Sequence, residues 1–216
     1  PKAAAAWDME VLGEEQREGY KAQKIAFNIN AYSRITAYLL IPDSEYGKNS
    51  NVEDGKNSNV EDGKNSKAVD GLLLSAQNKK MGRFPAVVAL HDHGAHLFIG
   101  KEKMIRPFFI ASEEQDADGK ISEKKKAVNQ EILDDADAWV NQLYEGQYVG
   151  DYLAKHGYVV LSIDAPMWGE RGRMEGVDRN KYDLIAGNMM MLGRDLSAFM
   201  TYDDISSTEF LASLPM

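Results

Sequence analysis

Two short apolar runs limit the folds open to this chain more than any other feature. They are FPAVVALH, residues 84–91, and YVVLSIDAP, residues 158–166. A strand with one wet face alternates polar and apolar residues, whereas a strand covered on both faces reads as a near-continuous apolar run. Helical patterns lie between the two. One runs from about Ser122 to Leu143. The other is GQYVGDYLAKHG, where Tyr148, Tyr152 and Leu153 share a face and Gly157 supplies the C-terminal cap. Strand, helix, strand in that order implies a crossover, and right-handed crossovers build parallel sheets with helices on their faces. Two further strands precede them: KAQKIAFNIN (21–30), then, after a turn, SRITAYLLIP (33–42), stopped by Pro42. At the other end, NMMMLGRDLSAFMTYDDISSTEFLASLP reads as one long amphipathic helix. The expectation is an α/β chain, a single domain over 1–216 with a mostly parallel sheet flanked by helices.

Composition narrows the function. The 216 residues carry 34 Asp and Glu against 25 Lys and Arg, a net charge of −9. That balance argues against a nucleic-acid or anionic-membrane partner, since phosphates need clustered cations. Lys124, Lys125 and Lys126, the densest basic run, are flanked by acids and read as a solvated helix face. No cysteine is present, which removes disulfides, thiolate metal sites and cysteine nucleophiles. No stretch reaches the roughly 20 apolar residues of a transmembrane helix, and the opening PKAAAAWDMEVLGEEQ lacks the apolar centre of a signal peptide. The expectation is a soluble chain of unspecified compartment.

Two segments interrupt the pattern. GKNSNVED at 47–54 recurs letter for letter at 55–62, with GKNS again at 63–66, too polar to bury a core and too short for a solenoid repeat. It reads as a duplicated flexible loop over 47–66. An acidic insertion follows over 97–140. Within it Glu114, Asp116, Asp118, Gly119, Ile121 and Ser122 imitate a calcium loop, but the twelfth position, where a bidentate Glu belongs, is Lys125. Calcium is not expected.

Chemistry concentrates in HDHGAH, 91–96, which holds three of the four histidines. Three readings are open at this point. Alternate residues of an extended segment point the same way, so His91 and His93, with His96, could share a metal ion in the manner of a metallo-hydrolase. Ala95 stands where that H-x-H-x-D-H frame needs an aspartate, and the fourth histidine, His156, falls at a helix end. Alternatively the imidazoles only hydrogen-bond within a loop. The third reading needs the neighbouring segments.

HDHG at the end of one apolar strand and YVVLSIDAPMWGERG after the next helix together resemble the α/β-hydrolase superfamily, in its dienelactone-hydrolase-like and acetyl-xylan-esterase-like branch. The resemblance spans roughly 20–216. It implies the N-terminal portion of an α/β-hydrolase fold and a serine-type carboxylic-ester hydrolase, most like those that remove acetyl groups from carbohydrates, with no metal or organic cofactor. By that resemblance His93-Gly94 is the oxyanion loop, the Ala95 N–H is a donor to the developing oxyanion, and His93 braces the loop. A preorganised N–H at that place lowers the barrier to ester hydrolysis by about 3 kcal/mol. His96, Met167 and Trp168 would wall the substrate pocket, and Asp164, Glu170 and Arg171 would support the following loop. A bland alternative for GERGR is a surface turn with a salt bridge.

The same resemblance exposes a gap. The nucleophile of such enzymes sits in G-x-S-x-G, and Ser75, Ser162, Ser197, Ser206, Ser207 and Ser213 all lack that frame. The chain therefore reads as ending before the nucleophile elbow, with the triad outside it and no ester turnover of its own. The third strand of the family lies between the fourth and fifth. AVVALH would then be an open sheet edge, suited to a C-terminal half or to self-association. A non-catalytic α/β module that binds a partner by this edge is the rival from another class, and a prolyl-oligopeptidase-type peptidase shares the fold.

Overall fold

The computed structural model describes residues 2–43, 84–94, 96–110, 121–173 and 176–215. Its strands are β1 (Glu10–Arg17), β2 (Tyr20–Asn30), β3 (Ser33–Pro42), β4 (Ala86–Val88) and β5 (Val159–Ile163). Its helices are α1 (Glu123–Leu143), α2 (Val149–Lys155), α3 (Gly169–Arg173), α4 (Arg179–Met191) and α5 (Leu196–Ser213), with a 3-10 turn at Lys101–Lys103. The strands join in one sheet, ordered β1-β2-β3-β5-β4.

Strand direction departs from expectation. The β1–β2, β2–β3 and β3–β5 pairs are antiparallel and only β4–β5 is parallel, so the described sheet is mixed and mostly antiparallel. The mostly parallel sheet is thereby corrected. An apolar run reports burial on both faces and not direction. The tight β2–β3 turn imposes antiparallel pairing, while the helical crossover through α1 and α2 imposes the single parallel pair. β1 was not anticipated at all: EVLGEEQR is half charged and lies at one edge with mostly exposed side chains.

Burial on both faces is what the sequence pattern required. Odd-numbered Ile25, Phe27, Ile35, Leu39, Leu161 and Ile163 face one layer, closed by Phe210 and Leu211 of α5. Phe27 stacks on Phe210 with ring centres 4.1 Å apart. Even-numbered Ala22, Tyr38, Leu40 and Val160 face the other layer, closed by Ala154 of α2 and by Met104, Ile105 and Phe108. Period-2 alternation thus feeds two cores, giving three layers.

Ser122 caps α1, its side chain accepting from the Lys125 N–H at 3.2 Å. The long C-terminal helix is two helices. Gly193 takes φ +67 and Asp195 caps α5 by accepting from the Ser197 N–H at 2.8 Å. Apolar periodicity continues across this break, which is why periodicity alone missed it. The duplicated octamer, Ser75, Ala95 and most of the calcium-like segment lie outside the described residues. No helix among the described residues is long and apolar enough to cross a membrane.

Candidate functional site

Two loops meet at the C-terminal ends of the parallel pair: 91–96 after β4, and the turn from Asp164 through α3 after β5. Open α/β sheets bind their ligands at such strand ends.

The first loop is held by its own backbone and by α1. His91 lies between the two loops: its Nε2 accepts from the Ala165 N–H at 3.0 Å, and its Nδ1 is 2.9 Å from the Asp92 carbonyl oxygen. A ring that accepts at Nε2 must donate at Nδ1, so His91 is neutral, and burial lowers its pKa from the ordinary 6.5. The Asp92 carboxylate accepts from Trp139 Nε1 at 3.0 Å and from the Tyr144 hydroxyl at 2.5 Å, and these bonds, outweighing burial, bring its pKa below the ordinary carboxylate value. Lys103 sits 3.6 Å from Asp92 Oδ1 and 4.3 Å from the Trp139 ring centre. Gly94 takes φ +45, and a Cβ there would lie 2.2 Å from the Trp139 ring and 2.6 Å from Asp92 Oδ1. Only glycine fits.

The three loop histidines diverge. His93 is exposed, its ring edge-on to Trp168 at 5.1 Å. His96 stacks on Trp139 at 5.6 Å and bonds Asp135 at 2.8 Å. Among the described residues no group of three His, Asp or Glu side chains is placed to hold a metal ion. His156 lies apart, exposed at the end of α2 with its Nδ1 2.7 Å from the Tyr152 carbonyl.

The second loop rests on a buried charge network. Asp164 is fully buried and accepts from the Lys101 N–H at 2.7 Å, from Lys101 Nζ at 2.6 Å and from the Glu170 N–H at 3.1 Å. Glu170 in turn accepts from Lys101 Nζ at 2.9 Å, Lys24 Nζ at 2.7 Å and the Thr36 hydroxyl at 2.6 Å. Burial opposes ionisation of Glu170, yet Lys101 and Lys24 outweigh it and hold its pKa well below the carboxylate range. The opposite balance raises Lys101: burial lowers its pKa, and Asp164, Glu170 and Glu102 more than restore it. Glu102 is pulled to about 2, Lys101 and Arg173 prevailing over burial, with Arg173 Nη2 at 2.8 Å. Arg171 donates to the Asp164 carbonyl at 2.9 Å and to Asp203 at 2.7 Å.

Within this turn Met167 and Trp168 share one buried apolar cluster but differ in what holds them. Trp168 is 1 % exposed and donates from Nε1 to the His93 carbonyl at 3.2 Å, tying the two loops together. Met167 has φ +76, a left-handed conformation costing a non-glycine residue about 1–2 kcal/mol. Gly172 makes it possible, since a Cβ there would come 2.1 Å from the Met167 carbonyl oxygen.

The structure thus brings His93, Gly94 and Trp168 together and sets Asp164, Glu170 and Arg171 beneath the second loop. It places His96 against α1, on Trp139 and Asp135. Sequence reading missed Lys101, Glu102 and Lys103, all fully or almost fully buried. Their one available signal was position: a charged triplet following the apolar Leu97–Ile99 stretch.

A scan of the sequence against protein-family models finds no match, and no curated protein matches it. Among solved structures the fold is similar to that of a "putative acetyl xylan esterase" from Bacteroides fragilis, with a TM-score of 0.53 and 18% sequence identity. The match covers 99% of this chain and 39% of that one, so the chain spans about two fifths of the esterase's length.

Proposed function

We propose that this chain is the oxyanion-loop portion of a carboxylic-ester hydrolase acting on acetylated carbohydrate. The observation that carries the reading is the left-handed Gly94, packed on Trp139 and Asp92 beside the Trp168 turn, on a fold like that of an esterase. Such a loop can present a backbone N–H to a carbonyl oxygen without a side chain in the way. The donor is the Ala95 N–H; His96, stacked on Trp139, and the buried Trp168 brace the loop; Asp164, Glu170 and Arg171 hold the second loop. A serine, its histidine base and an orienting acid come from sequence beyond these residues, and oxyanion donors without a nucleophile retain only a small part of the full rate.

The test uses p-nitrophenyl acetate. The 216 residues alone should match the buffer rate. The protein extended by whatever coding sequence follows Met216 should hydrolyse the ester and lose that activity to a serine-directed phosphonate. In the extended protein, Gly94→Ala should lower kcat by about 100-fold. An extended protein without phosphonate-sensitive turnover would overturn the reading.

One observation favours a second reading, a partner-binding module. Among the described residues β4 pairs with β5 alone, and the adjacent Leu90 is 49% exposed, an open apolar edge. Sedimentation showing self-association of the chain with no esterase in any longer form would favour it.

A further inference from the structure

A concave site lies beside the post-β5 turn. It is a cleft of about 610 Å3 between the β2–β3 turn, Pro166–Met167, α4 and the start of α5. That volume suits a small organic ligand. Its walls are mostly apolar, from Met167, Ile185, Met189, Leu196 and Phe199. Met167 holds its place on this wall with its backbone in the left-handed conformation, φ +76.

The charges facing the cleft are few. Arg171 and Asp203 line it as an ion pair at 2.7 Å, and Asp203 is 4% exposed. Arg171 uses Nη1 for Asp203 and for the Asp164 carbonyl; among the described residues its Nε and Nη2 have no partner. Arg194 adds a second cation from the α4–α5 link, while the β2–β3 turn offers the neutral Asn30, Tyr32 and Ser33. With Asp203 cancelling Arg171, the lining carries one net positive charge beside an apolar wall. A guanidinium with open donors prefers a carboxylate to a neutral acceptor.

We propose that this cleft binds a small carboxylate with a flat or branched apolar body. The carboxylate lies between Arg194 and the open side of Arg171, and the body lies against Met167, Met189 and Phe199. The cleft shares the post-β5 turn with the proposed esterase site but requires no nucleophile, so its ligand binding stands whether or not that reading holds.

The test is a titration of the 216-residue chain, labelled at its methionine methyls, with trans-cinnamate and with cinnamyl alcohol as the uncharged counterpart. Cinnamate should shift the Met167 and Met189 methyls saturably with Kd near 1 mM, as its size allows. The alcohol should bind about 10-fold more weakly, and Arg194→Gln should remove most of that difference. Arg194 is exposed, so its replacement leaves the fold intact. Ala198→Trp, which fills the cleft, should abolish both shifts. Equal binding of acid and alcohol overturns the charge assignment. Shifts confined to the exposed Met190 and Met191, or no saturation, overturn the site.

Discussion

The 164–173 turn and helix α4 are neighbours held in opposite ways. The turn is fixed by directed bonds: Asp164 and Glu170 each accept three, most of them from Lys101 and Lys24, which are themselves largely buried. α4 buries no residue completely. It touches the core through partly buried Tyr182, Ala186 and Met189, while Met191 is 87% exposed. Where geometry must be held to a fraction of an ångström, the fold uses ionic hydrogen bonds out of reach of water. Where it uses only apolar contact at a rim, position is loosely set.

That contrast can be broken most severely at Lys101. Lys101→Met strands Asp164 and Glu170 without their shared cation, and should cost about 3–5 kcal/mol in urea unfolding. A loss under 1 kcal/mol would mean the network contributes little. Next in size, Gly94→Ala forces a Cβ into Trp139 and should cost about 1–3 kcal/mol, with Gly94→Ser at least as damaging.

Acid tests the same network by titration. Glu102 has its folded pKa near 2 against an ordinary 4.5, so its stabilisation is complete above pH 4.5 and is lost as pH falls from there toward 2. Glu102→Gln should flatten the unfolding profile across that window and leave the Glu170 contribution, which has the same sign. His91 gives a smaller effect at milder pH. Its folded pKa lies below 6.5, so the unfolded chain takes the proton first and stability declines as pH drops below about 6.5. Nitrogen-15 shifts should show His91 still neutral, with its proton on Nδ1, at a pH just below the ordinary histidine value of 6.5. Smallest of all, Met191→Ala on α4 should change stability by less than about 0.5 kcal/mol, and a larger change would mean that α4 is anchored.

The legible parts of the fold are those written in periodicity. β2, β3 and the two helices of the crossover follow their apolar spacing, and the runs at 84–91 and 158–166 became the one parallel pair. β1 escaped because an edge strand facing water needs no apolar pattern. The α4–α5 break escaped because one glycine in an unbroken apolar rhythm looks like a tolerated interior residue. Within the site, Asp164 drew attention as a carboxylate closing an apolar strand. Its partner did not, since a Lys-Glu-Lys triplet in an acidic region reads as solvated surface. Burial of a charge depends on what folds over it, and Lys101 meets Asp164 across 63 positions of sequence.

The 164–173 turn also carries its own optical gauge. Trp168 is sealed from water beside Met167, whereas Trp7 packs on Phe210 and Trp139 lies on α1. Any molecule that displaces the Met167 backbone must move the neighbouring indole or change what it touches. Filling the cleft would therefore be read in the ultraviolet emission of the chain without a label, and Trp168→Phe would silence that channel while Trp7 and Trp139 kept theirs.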